Sequence, residues 1–129
     1  SRHDALATST VERHGGRIVN RTGDGMLALF DGPSRGIECA RELRRLIGAL
    51  GIHLRAGLHT GEIERRGDDV GGIGVHISAR VESAAEPGEI LVTRTVRDLT
   101  AGSGVEFDDR GSHALKGVPE DWQLFAVVD

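Results

Sequence analysis

Nineteen of the 129 residues are glycine, about twice ordinary usage. They stand singly or in pairs between apolar segments, a pattern of tight turns and close backbone approaches rather than low complexity. The glycines divide the chain into short pieces, each with its own periodicity. Residues 2–14 carry a weak apolar face (Ala5, Ala7, Val11) and end at Gly15-Gly16, as a helix does. Residues 17–21 and 26–30 read as strands, joined across Thr22-Gly23-Asp24-Gly25, because Asp-Gly tolerates the positive φ of a tight turn.

Asp31-Gly32-Pro33-Ser34 opens a second helix, with proline suited to the first turn. Ile37, Ala40, Leu43 and Ile47, joined by Leu46 and Leu50, form its apolar stripe to about residue 49, and Gly51 stops it. Ile52, Leu54, Ala56 and Leu58 then alternate with His53, Arg55, Gly57 and His59, the pattern of a half-buried strand. Residues 60–72 read as a polar, glycine-rich loop. A helix is expected over 73–85 with Ile73, Ile77, Val81 and Ala84 on one face, followed by a strand at 90–93 and a short helix near 94–100. From Val105 to Val128 the alternation predicts two strands paired around Lys116-Gly117-Val118-Pro119. Together these elements predict one α+β domain over residues 1–129, with a largely antiparallel sheet flanked by helices.

Charge and cysteine content narrow the function. The net charge is −4, with both signs mixed along the chain. A nucleic-acid binder would show a basic stripe and stacking aromatics, and the sequence has neither. Cys39 is the single cysteine, which excludes an internal disulfide and a cysteine-rich zinc site. No apolar run of about 18 residues and no secretory leader is present, so a cytoplasmic domain without membrane contact is expected.

Several side chains are candidates for chemistry. Asp24, between glycines at a hairpin tip, suits a hard cation such as magnesium, although Asp-Gly is also an ordinary turn. Asp69 precedes the 73–85 helix, where it would cap the helix or meet a ligand's amino group. His76 and Arg80, four apart, share a helix face beside the apolar stripe, and arginine offers a planar fork matched to phosphate. Lys116 next to Gly117 can reach a phosphate from a turn. His59 and Glu62 carry only a weak case for a site, because His59 is expected on the less apolar side of its strand. Each of these residues alone has an unremarkable reading as turn, cap or solvated surface.

Their order is more specific than any one of them. The segments Val19-Asn20-Arg21-Thr22-Gly23-Asp24-Gly25, Arg55-Ala56-Gly57-Leu58-His59-Thr60-Gly61-Glu62, Gly67-Asp68-Asp69-Val70-Gly71-Gly72-Ile73-Gly74-Val75-His76-Ile77-Ser78-Ala79-Arg80 and Gly111-Ser112-His113-Ala114-Leu115-Lys116-Gly117-Val118-Pro119 succeed one another at compatible spacing. In that order the chain resembles the class III adenylyl/guanylyl cyclase catalytic domain, most closely its actinobacterial branch, from roughly residue 12 to 128.

The resemblance implies a ferredoxin-like cyclase fold whose opening strand, with the first metal-binding aspartate, would precede residue 1. It implies a nucleotidyl cyclase, a phosphorus–oxygen lyase that converts ATP or GTP to a 3′,5′-cyclic nucleotide and pyrophosphate. Sites in that family form between two catalytic domains arranged head to tail, so a homodimer is implied. A chain without the opening strand is expected to fill the gap by swapping or an unusual dimer. Asp24 matches the second aspartate holding two Mg²⁺ or Mn²⁺ ions. Asp69 matches the base-recognition aspartate, and Asn20 takes the place of its partner lysine, keeping an amide but losing the charge. Arg80 matches the arginine that stabilises charge on the α-phosphate. His76 takes the place of the asparagine that works with it, and Lys116 matches the lysine for the terminal phosphates. The departures at Asn20 and His76 also leave room for a catalytically silent, nucleotide-sensing or dimerising module.

Overall fold

The computed structural model describes residues 2–22 and 25–128. Helix α1 (Arg2–Arg13) ends where Gly15 takes a φ of +76° and the Gly16 N–H reaches back to the Val11 carbonyl at 2.9 Å. Strands β1 (Arg17–Thr22) and β2 (Gly25–Leu29) pair antiparallel, as expected. The turn expected at Gly23 and Asp24 lies outside the described residues.

Helix α2 (Pro33–Gly48) begins on its proline and buries Ile37, Ala40, Leu43 and Ile47. Leu50 does not join that stripe. It is 41% exposed because the helix has already ended and the chain is turning toward Gly51, whose φ is +82°. Arg13 and His14 fasten the end of α1 to α2. Arg13 donates to both carboxylate oxygens of Glu42 at 2.8 and 2.9 Å, and His14 Nε2 lies 2.7 Å from one of them. Hydrogen bonds from His14 and then Arg13 hold the Glu42 carboxyl below its ordinary pKa.

The strand expected over 52–59 forms its ladder only at β3 (Ala56–Leu58). Burial does alternate through residues 52–55, but the neighbouring strand β6 (Ile90–Thr93) reaches β3 only from Ala56 to Leu58. The loop expected at 60–72 contains a short antiparallel pair instead, β4 (Glu64–Arg66) and β5 (Asp69–Gly71), which turns where Gly67 takes a φ of +64°. Helix α3 (Ile73–Ala84) buries Ile77 and Val81, while Ile73 at its first position is 50% exposed. After β6 come α4 (Arg94–Leu99), β7 (Glu106–Ala114) and β8 (Asp121–Val128).

The main sheet has the order β3-β6-β8-β7, antiparallel except for the β3–β6 pair. All four residues of β6 are buried, because helices cover both faces of the sheet. On one face Ile90, Val92, Phe125 and Val127 pack with Ile37 and Ala40 of α2 and Val96 of α4. On the other, Leu91, Leu124 and Ala126 pack with Ile77 and Val81 of α3 and with Leu115. Each large aliphatic side chain fully buried in these layers contributes about 1.5–3 kcal/mol.

Strands β2 and β3 belong to different sheets although α2 connects them directly. Each has one edge without a partner among the described strands. Phe30, just after β2, and Leu58, at the end of β3, both come to Gly36 of α2, where a side chain would meet Leu58 at 3.0 Å and Phe30 at 3.6 Å.

Candidate active site

Strand directions determine which loops meet. β3, β6 and β7 run one way and β8 the other, so the C-terminal ends of the first three adjoin the start of β8. Helix α3 crosses β3 antiparallel. Its later turns lie over Gly57, where an added Cβ would sit 2.3 Å from the Glu82 backbone nitrogen, and its first turn is met by Glu62, whose carbonyl accepts from the Gly74 N–H at 3.0 Å. The glycine at 57 is therefore a condition of the close helix–strand approach. That approach places the beginning of α3 at the same end of the sheet as the β7–β8 turn.

At this end the structure joins His76 to Lys116. His76 Nε2 lies 3.1 Å from the Lys116 carbonyl oxygen, across 40 residues of sequence. Lys116 itself is exposed, in a turn closed by the Val118 N–H on the Leu115 carbonyl at 3.0 Å. Arg80 follows one helical turn after His76. Its Nε is buried and has no hydrogen-bond partner among the described residues. A buried donor left unpaired costs about 1–3 kcal/mol, which marks Arg80 as a side chain held in place at a cost in stability.

Asp69 does not cap α3. The residue at that cap is Gly72, with a φ of +99° and no side-chain bond, while Asp69 accepts from its neighbour, the Val70 N–H, at 2.8 Å. Asp69 stays exposed on β5, and β1, which carries exposed Asn20, runs past β5. The two polar positions that the resemblance matches to base recognition therefore stand on strands of two different sheets that touch one another. Asp24 lies outside the described residues. Among the described residues no group of three or more His, Cys, Asp or Glu side chains could hold a metal ion.

His59 is more embedded than its place in the alternating pattern implies. Its Nδ1 lies 2.8 Å from the hydroxyl of buried Thr93, and its ring meets Trp122 edge-on at 5.5 Å. Gly61 folds back on the other side, leaving no room for a side chain beside His59 Nε2. Only the convergence of β3, β6 and β8 makes this pocket, so periodicity along one strand carries no sign of it. Burial pushes the His59 pKa below its ordinary 6.5. The unfolded chain therefore binds this proton more readily than the folded one, and stability should fall as pH drops below about 6.5. Urea midpoints at pH 7.5 and 5.5 should separate more for the parent than for His59→Asn. Equal separations would show that His59 contributes nothing to the acid limb.

A largely antiparallel sheet clasped by helices on both faces, with its loops gathered at one end, is the architecture of the class III nucleotide cyclases. The chain belongs to the family of the adenylate and guanylate cyclase catalytic domain, whose model matches residues 10–128. It is 32% identical over 114 residues, 81% of the chain, to a putative adenylate cyclase 3 of Rhizobium meliloti. It is 31% identical over 127 residues, 94% of the chain, to an uncharacterized protein of Mycobacterium tuberculosis. The chain spans 19% of the first relative's length and 44% of the second's. The solved adenylate/guanylate cyclase/hydrolase from Silicibacter pomeroyi superposes with a TM-score of 0.88 at 29% identity, covering 98% of this chain and 80% of that one. No helix among the described residues is long and apolar enough to cross a membrane.

Proposed function

We propose that this domain is a nucleotidyl cyclase that converts ATP or GTP to the 3′,5′-cyclic nucleotide and pyrophosphate in intracellular signalling. The observation that carries this reading is Arg80, whose buried Nε–H has no partner among the described residues, on the helix that also bears His76. The ribose 3′ oxygen bonds to the α-phosphorus, the bond from that phosphorus to the pyrophosphate oxygen breaks, and the hydroxyl proton passes to solvent. Negative charge grows on the α-phosphate oxygens as the bond forms. A guanidinium donor waiting without a partner stabilises that charge without first giving up another bond. Asn20 and Asp69 would receive the base edge, and Lys116 the terminal phosphates.

Divalent cations, which this family generally uses, supply charge neutralisation on the phosphates when bound. Asp24, which lies outside the described residues, would help to hold two such ions. The assay is cyclic nucleotide formation from ATP and from GTP with manganese. Product from either nucleotide supports the cyclase. Nucleotide binding without product, both in this chain and in one extended upstream by a strand and a helix, would favour the sensing module, with Asn20 and His76 as its marks.

Assembly is part of this proposal. The edges of β2 and β3 that have no partner among the described strands offer backbone N–H and C=O groups to another strand. A second copy, supplying a swapped strand or a head-to-tail face, would satisfy them. Light scattering across a concentration series should show a dimer. A mass of one chain at the highest concentration sinks the dimer.

A further inference from the structure

Lys116 and Gly117 are the two central residues of a turn that starts at buried Leu115 and closes on Val118. Gly117 has a φ of +78°, the mark of a type II turn, which differs from type I by a flip of the peptide between its central residues. The carbonyl of that peptide is the Lys116 oxygen, and His76 Nε2 lies 3.1 Å from it. A Cβ on residue 117 would stand 2.9 Å from the same nitrogen, so the glycine both permits the φ and makes room for the ring.

A backbone carbonyl only accepts, so Nε2 carries the hydrogen, and the Nδ1 of the neutral ring is an acceptor. The one N–H of neutral His76 is thus committed to the main chain of the turn. An asparagine in its place would keep a donor for the nucleotide, whereas neutral His76 has none left.

We propose that His76 is a positioning residue for Lys116: it clamps the peptide after the lysine and so sets how the ammonium meets the terminal phosphates. The inference rests on the cyclase reading for the identity of the ligand. It departs from that reading's expectation that His76 acts at the reacting phosphate. Leu115, packed with Ile77 and Val81 of α3, anchors the start of the turn, and His76 locks its middle.

The test uses inorganic triphosphate as probe, by calorimetry, alongside steady-state kinetics. His76→Ala should weaken triphosphate binding and raise KM about 3- to 10-fold, the effect of one hydrogen bond of ordinary strength, with kcat nearly unchanged. His76→Gln, whose amide can donate to the same carbonyl, should restore most of the affinity. In a Lys116→Ala background, His76→Ala should weaken triphosphate binding no further. A fall in kcat with KM and triphosphate affinity unchanged would overturn the proposal, as would additive effects of the two substitutions. If the parent binds no triphosphate and forms no cyclic nucleotide, the cyclase reading fails. The clamp is then judged by ¹⁵N spectra of the His76 ring, where an Nε2–H form supports it and an Nδ1–H form overturns it.

Discussion

Replacing Arg80 by alanine should lower kcat for cyclic nucleotide formation about 100- to 1,000-fold, the usual cost of removing one transition-state donor. KM should change little, because charge on the α-phosphate oxygens grows only as the new bond forms. Arg80→Lys should recover only a small part of the loss, since an ammonium has no planar fork and cannot place a donor where Nε lies. The same substitution separates catalysis from folding. Arg80 Nε is buried without a partner among the described residues, so removing it takes away a desolvated donor rather than a bond. The thermal midpoint of Arg80→Ala should therefore not fall below the parent's. Full activity in Arg80→Ala would remove the arginine from the mechanism.

Gly57→Ala should be the most damaging single methyl in the described fold. Its Cβ would fall 2.3 Å from the Glu82 nitrogen, 2.8 Å from the Glu82 Cα and 2.8 Å from the Ser78 carbonyl oxygen, all backbone atoms of α3. No side-chain rotation relieves such a contact, so the helix must lift from β3. Overpacking of this kind costs about 3 kcal/mol or more, and a loss of that size lowers the melting temperature by about 10 °C in a domain this long. Activity should fall further than stability alone explains, because α3 carries both His76 and Arg80. Gly48→Ala is the control: nothing stands within 4 Å of its Cβ, and its φ is not in the left-handed region. That variant should melt at or slightly above the parent temperature, and a Gly57→Ala protein that does the same would show that α3 does not bear on the strand.

Much of the architecture was legible in local pattern. Gly15-Gly16 closing α1, Pro33 opening α2, the Ile37–Ile47 stripe and the apolar Ile90-Leu91-Val92 of β6 each follow from backbone preference and side-chain period. The misreadings occurred where a neighbour decides. Residues 52–55 alternate like a strand and make no ladder, because β6 starts opposite Ala56. Residues 60–72 look like loop and yet contain the β4–β5 pair, whose three-residue strands are too short to show a period. Ile73 sits on the apolar face by count and is half exposed, because the sheet under α3 begins a turn later.

The candidate site divides the same way. The order of the motifs identified Asn20, Asp69, His76, Arg80 and Lys116 as positions of interest, since residue type and spacing are properties of the chain itself. It could not show that His76 spends its N–H on the Lys116 carbonyl, 40 residues away, or that Arg80 Nε is buried with no partner among the described residues. Nor could it show that His59 is wedged between Thr93 and Trp122. Local sequence determines which elements form and which side chains they carry, because turns, caps and periodicity act within a few residues. Which donors are spent, which stay free and which glycine admits a helix depend on surfaces that meet only when α3, the β7–β8 turn and the ends of the sheet pack together.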